Sequence, residues 1–191
     1  MKLVWINGCV RGEASRTQRL TEALLKRLRQ AEPGCEVQEV CLAREGLRPM
    51  DGAMLAQRDA LAQSGRFHHP LFARAREFAA ADTLVVSAPY WDLSFPAAVK
   101  TYVEHVSVCG LAFCYGETGE PVGLCRANTL YYVTTAGGYI GERDFGYAYI
   151  KGLAETFYGI SNIRRVAAEG LDIAGADVEQ ILAQAEAGIV L

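Results

Sequence analysis

The chain has 191 residues, 51% of them hydrophobic, and a formal net charge of −3. That size and composition suit one soluble globular domain over residues 1–191 with a substantial core, and two full domains would be cramped. Nineteen basic residues against 22 acidic ones, with no basic run, exclude a nucleic-acid partner, and the surface is not acidic enough for a charge-steered electron carrier.

The first apolar run, Leu3 to Ile6, reads as a buried strand. It is too short for the core of an export signal, and nothing in the chain approaches the roughly 20 apolar residues that span a membrane. The loop Asn7-Gly8-Cys9-Val10-Arg11-Gly12 follows, and then a helix marked by Leu20, Leu24 and Leu28. Ser15, Arg16 and Thr17 stand at its start. A helix N-terminus offers unpaired N–H groups and partial positive charge, suited to phosphate, with hydroxyl and guanidinium donors added. Ser15 and Gln18 equally form an S-x-x-Q capping box that needs no ligand, so both readings stand.

A second strand is expected over Val37 to Leu42, then one or two helices over Met50 to Ala62 and Leu71 to Ala80. The third strand, Thr83 to Ala88, leads into Pro89-Tyr90-Trp91-Asp92-Leu93-Ser94-Phe95-Pro96. Two large aromatics in a Pro-bounded turn suit a planar heteroaromatic ring, through stacking and through backbone amides at its edge; they also suit a core. Asp92 or Ser94 is expected to cap the next helix, which carries Phe95, Val99, Tyr102, Val103 and Val106.

Residues Gly110 to Gly123 alternate Leu111, Phe113 and Tyr115 before the turn-prone Glu117 to Pro121, as a hairpin or excursion would. The fourth strand, Thr129 to Thr134, runs into Thr135-Ala136-Gly137-Gly138-Tyr139. Consecutive glycines fit either a tight turn or a close approach of backbone to a ligand. A helix through Tyr147, Ile150, Ala154, Phe157 and Tyr158, a fifth strand Ile163 to Ala168 and a last helix through Val178, Ile181, Leu182 and Ala185 complete the chain.

Five strands alternating with helices predict a three-layer, doubly wound parallel α/β sheet, for which the order 2-1-3-4-5 leads. That order places the first, third and fourth strands side by side, so their three loops face one cleft. Neither G-x-x-x-x-G-K-[ST] nor G-x-G-x-x-G occurs, and the carboxylates of a phosphoacceptor domain are missing, leaving a monophosphate cofactor as the best fit. The six cysteines show no C-x-x-C pair and no zinc spacing with His68, His69 or His105, so no metal is expected, and reduced thiols in a cytoplasmic protein are. The histidines carry no assigned role.

In Asn7-Gly8-Cys9 through Ser15-Arg16-Thr17, in Ala88 to Lys100 and in Thr134 to Gly138, the chain resembles, over nearly its whole length, the flavodoxin-like NAD(P)H-dependent quinone reductases and FMN-dependent azoreductases. The resemblance implies FMN, with its phosphate against Cys9, Ser15, Arg16 and Thr17. The ring would lie against Pro89, Tyr90, Trp91, Asp92 and Leu93 on one side and Thr135, Ala136, Gly137 and Gly138 on the other. It implies no catalytic side chain beyond the flavin, NAD(P)H as donor, and a quinone, azo compound or similar small acceptor. It also implies a homodimer with active sites at the subunit interface, which puts Phe113 and Tyr115 near the partner's flavin; Tyr139, by its place after the Gly-Gly turn, is a further candidate for the substrate side. Cys9 stands where serine is usual and Trp91-Asp92 where Tyr-Asn is. If Asp92 faced the ring instead of capping the helix, it would lower the flavin potential. A flavodoxin-type electron carrier and a non-catalytic FMN-binding sensor are the alternatives.

Overall fold

A computed structural model describes residues 1–191. Its central sheet contains β1 (Lys2–Asn7), β2 (Glu36–Cys41), β3 (Thr83–Ser87), β6 (Thr129–Thr135) and β7 (Asn162–Ala168), all parallel, in the order β2-β1-β3-β6-β7. Counting only these five strands, this is the expected 2-1-3-4-5. The remaining strands, β4 (Phe113–Tyr115) and β5 (Pro121–Gly123), pair antiparallel as a separate hairpin.

Helices cover both sheet faces because the strands alternate their side chains between two cores. Leu3 and Trp5 of β1 point toward α1 (Arg16–Ala31) and α6 (Val178–Ala187), meeting Leu20, Leu24, Leu28 and Leu182. Val4 and Ile6 point the other way, toward α3 (Ala73–Ala79), α4 (Ala97–Val106) and α5 (Phe145–Leu153), in a core with Phe78, Tyr102 and Ile150. Each fully buried leucine of α1 contributes about 1.5–3 kcal/mol relative to an exposed one. The helix α2 (Gly52–Gln63) sits outside these layers and buries only Leu61. No helix is long and apolar enough to cross a membrane.

Two local expectations are corrected. The segment Leu71 to Ala80 begins as a 3₁₀ turn, Pro70–Phe72, before α3, with His69 rather than a hydroxyl accepting the Leu71 N–H. The hairpin is not a projecting arm. Phe113 is only 8% exposed, packed edge-on against Phe157 where α5 continues as a π-helical turn, Ala154–Tyr158. A side chain on Gly123 would collide with the backbone of Tyr158 and Gly159, so a bare backbone at that position lets the hairpin close onto the helix end.

Candidate functional site

The parallel register brings Asn7, Ser87 and Thr135 to the same end of the sheet, and the loops after β1, β3 and β6 leave from there. Backbone hydrogen bonds join the strand exits: Gly8 N–H donates to Ser87 O at 2.8 Å, and Tyr90 N–H donates to Thr135 O at 3.0 Å. Gly8 is needed for space rather than for an unusual turn. A Cβ there would stand 2.7 Å from Val99 Cγ2 and 2.9 Å from Ser87 O.

The first loop makes a 3₁₀ turn, Gly12–Ala14, with Gly12 at φ +55°, and delivers the chain to α1. Ser15 caps that helix, its hydroxyl accepting the Gln18 N–H at 3.3 Å. Only half of the expected capping box forms, because the Gln18 side chain turns away to Asn7 and Glu22. The N–H groups of Arg16 and Thr17 find no acceptor within the protein. Thr17 Oγ1 lies 2.6 Å from Thr135 Oγ1, which ties the first turn of α1 to the end of β6.

The third-strand loop forms a tight reversal in which Trp91 and Ser94 exchange both backbone hydrogen bonds, at 3.1 and 2.7 Å. Its central residues, Asp92 and Leu93, take φ of +50° and +65°. Positive φ at both positions is the primed-turn geometry, and for a leucine it costs about 1–2 kcal/mol. This overturns the capping role: α4 starts at Ala97 with Pro96 at its N-cap and no side-chain cap, because Asp92 is committed to the turn. Tyr90 reaches across, its hydroxyl donating to Arg143 O at 2.9 Å.

The loop after β6 is laced to the one after β7. Gly137 O accepts the Asp172 N–H at 2.8 Å and Gly138 O accepts the Gly170 N–H at 3.0 Å. Arg165 bridges Asp144, the cap of α5, and Glu169, which in turn accepts the Ile140 N–H. Burial pushes the Glu169 carboxyl up, but the Arg165 guanidinium and the Ile140 N–H more than offset this and hold it below the usual carboxylate range.

Together these loops enclose a cleft of about 330 Å³. Ser15, Arg16 and Thr17 line one end; Pro89, Tyr90 and Trp91 form one wall; Thr135 and Gly137 form the other. The remaining expected site residues lie around this cleft rather than on its surface. Asp92, Leu93 and Gly138 are exposed beside it, Ala136 is buried behind it, and Tyr139 projects into solvent at 74% exposure. Cys9 is 2% exposed, with its Sγ turned toward Ser87 Oγ, and burial pushes its thiol up. Phe113 and Tyr115 belong to the hairpin and do not line the cleft.

The cleft also contains Val10 and Arg11 of the first loop, to which the sequence assigned no role, and Ala14 and Asp172, which no motif marked. Asp172 follows β7, the neighbour of β6, so the strand order itself contained the signal: the loop after the fifth strand also reaches the switch-point side. A larger depression of about 650 Å³ runs between β7 and the end of α6. It shares no lining residue with the cleft and follows the open side of an edge strand, so the smaller cleft, where four loops converge, is the candidate site.

Comparison with known proteins gives the same architecture. A family model described as "Flavodoxin-like fold" matches residues 1–190. The chain is 33% identical over 187 residues to FMN-dependent NADH:quinone oxidoreductase 2 of Clostridium acetobutylicum, covering 95% of this chain and 92% of that protein. It is 33% identical over 199 residues to the FMN-dependent NADH:quinone oxidoreductase of Rhizobium meliloti, covering 97% and 94% respectively. Among solved structures, azoreductase from Bacillus anthracis superposes with a TM-score of 0.85 at 23% identity, covering 98% of this chain and 95% of that one.

Proposed function

We propose, on the premise that this chain belongs to the flavodoxin-like fold family, that it is an FMN-dependent oxidoreductase carrying electrons from NAD(P)H to a quinone, azo compound or similar small acceptor. The observation that carries this reading is the convergence of the loops after β1, β3 and β6 on one cleft, with the unpartnered N–H groups of Arg16 and Thr17 at its end. Residues 1–191 act as one flavodoxin-like domain.

The residues fit the cofactor. The cleft volume lies within the range of small-ligand sites, and its donors are those a phosphate needs: free N–H groups at a helix start, flanked by the Ser15 hydroxyl and the Arg16 guanidinium. When bound, FMN supplies the reactive atoms that accept and pass on the electron pair, so the chain needs no nucleophile of its own.

Ser15, Arg16 and Thr17 hold the phosphate, and buried Cys9 supports their loop from beneath. Pro89, Tyr90 and Trp91 present a flat wall to the ring, and the rigid Trp91 to Ser94 turn fixes Asp92 and Leu93 at its edge. Thr135, Ala136, Gly137 and Gly138 close the opposite side, where a glycine backbone permits close approach. Tyr139 stands on the acceptor side. The protein works as a homodimer, a reading supported by the exposed apolar side chains Trp91, Leu93, Tyr139 and Phe145, and in the cytoplasm, where its six free thiols stay reduced. Tyr115, 58% exposed on the hairpin, is available to a second copy.

Steady-state oxidation of NADH and NADPH with menadione as acceptor and FMN added tests the proposal. Turnover that depends on FMN and on the quinone is expected. FMN binding without turnover would instead indicate a carrier or sensor.

A further inference from the structure

Arg16 does not point freely into the cleft. Its Nη1 donates to Asp172 Oδ1 at 2.7 Å and to Leu171 O at 3.4 Å. Asp172 is held in place by its own N–H on Gly137 O, and its carboxylate occupies the space that a Cβ on Gly137 would fill. The pair therefore spans the cleft from the start of α1 to the loop after β7, beside the N–H groups of Arg16 and Thr17.

We propose that Asp172 sets the affinity of this cleft for the phosphate of FMN by competing with it for the Arg16 guanidinium. This rests on the FMN reading above and names a residue which that reading does not use. The two side chains are 40% and 68% exposed, so their ion pair is worth at most about a fivefold shift in an equilibrium. A guanidinium on a phosphate makes shorter, charge-assisted and often bidentate bonds, so Arg16 changes partner when phosphate arrives. The exchange leaves the Asp172 carboxylate unpaired beside a dianion. Both the lost pair and the like-charge contact weaken binding, and both act only on a phosphorylated ligand. Asp172 thus keeps FMN exchangeable and narrows the preference for FMN over riboflavin.

The test is titration of FMN and riboflavin, followed by flavin fluorescence, into wild type, Asp172→Asn, Asp172→Ser, Arg16→Gln and the Arg16→Gln/Asp172→Asn double variant, with circular dichroism confirming the fold. Both Asp172 variants should bind FMN more tightly than wild type, by up to about fivefold, the most that the lost competition supplies. Riboflavin affinity should stay unchanged. Arg16→Gln should weaken FMN, and most of the gain from Asp172→Asn should vanish in its background. An unchanged or weaker FMN affinity in the Asp172 variants, or an equal gain for riboflavin, overturns the proposal while leaving the FMN reading intact. A wild-type protein that binds neither flavin defeats the FMN reading itself, and the proposal with it.

Discussion

The hydroxyls of Thr17 and Thr135, 118 positions apart in sequence, meet at 2.6 Å and fasten the first turn of α1 to the end of β6. Both residues line the cleft and both are buried, so the bond is largely shielded from solvent and sets the distance between the phosphate end and the glycine wall.

Removing one partner strands the other. Thr17→Val should lower stability by about 1–3 kcal/mol, the cost of leaving a buried hydroxyl unpaired. Thr135→Val should cost a similar amount, and the double variant should be less damaged than the sum of the two. Urea unfolding of the four proteins measures the coupling, and strict additivity would show that the bond does not form.

The link from Arg165 through Glu169 to Ile140 predicts a defined pH response. Glu169 has its carboxyl pKa depressed in the folded state, so its stabilisation is fully present above the ordinary glutamate value of about 4.3 and fades as pH falls through the lower folded value. Urea midpoints measured from neutral pH downward should therefore fall more steeply for wild type than for Glu169→Gln below about pH 4.3. Because the contact is near the surface, the difference should stay within about 1 kcal/mol. Parallel curves for the two proteins would remove the carboxylate from the account.

Asp92 is freed from helix capping by its place in the positive-φ turn, and it stands next to Trp91 on the proposed ring wall. A carboxylate there opposes added negative charge on the ring. Potentiometric titration of Asp92→Asn should show a rise in the flavin midpoint. An exposed charge worth up to about 1 kcal/mol corresponds to roughly 20 mV for a two-electron couple. An unchanged midpoint would mean that the carboxylate is turned to solvent.

The sheet was legible because each strand leaves a local mark: continuous apolar or β-branched runs such as Leu84 to Val86 signal burial on both faces, and the helices between them carry leucines at helical spacing. The cleft loops were legible for the same reason, since strand order fixes which exits are neighbours. Features decided by long-range contact were not. Alternation at Leu111, Phe113 and Tyr115 indicated a hairpin, but the body covering Phe113 is set by bare backbone at Gly123 meeting Gly159, 36 positions on. An aspartate a few residues ahead of a helix would ordinarily read as its cap, and only the paired hydrogen bonds of Trp91 and Ser94 show that Asp92 is inside a turn. Asp172 gave no local signal because an acidic residue on an exposed loop looks the same whether or not an arginine faces it.

The most direct test of the central claim is equilibrium titration of FMN into the desalted wild-type protein and into Trp91→Ala, followed by flavin fluorescence. Saturation at one FMN per chain is expected, with affinity about fivefold weaker once the Trp91 wall is lost, in line with about 1 kcal/mol of aromatic stacking. Wild type that fails to saturate, or a Trp91→Ala variant that binds FMN as tightly as wild type, would contradict a flavin site built on the exits of β1, β3 and β6.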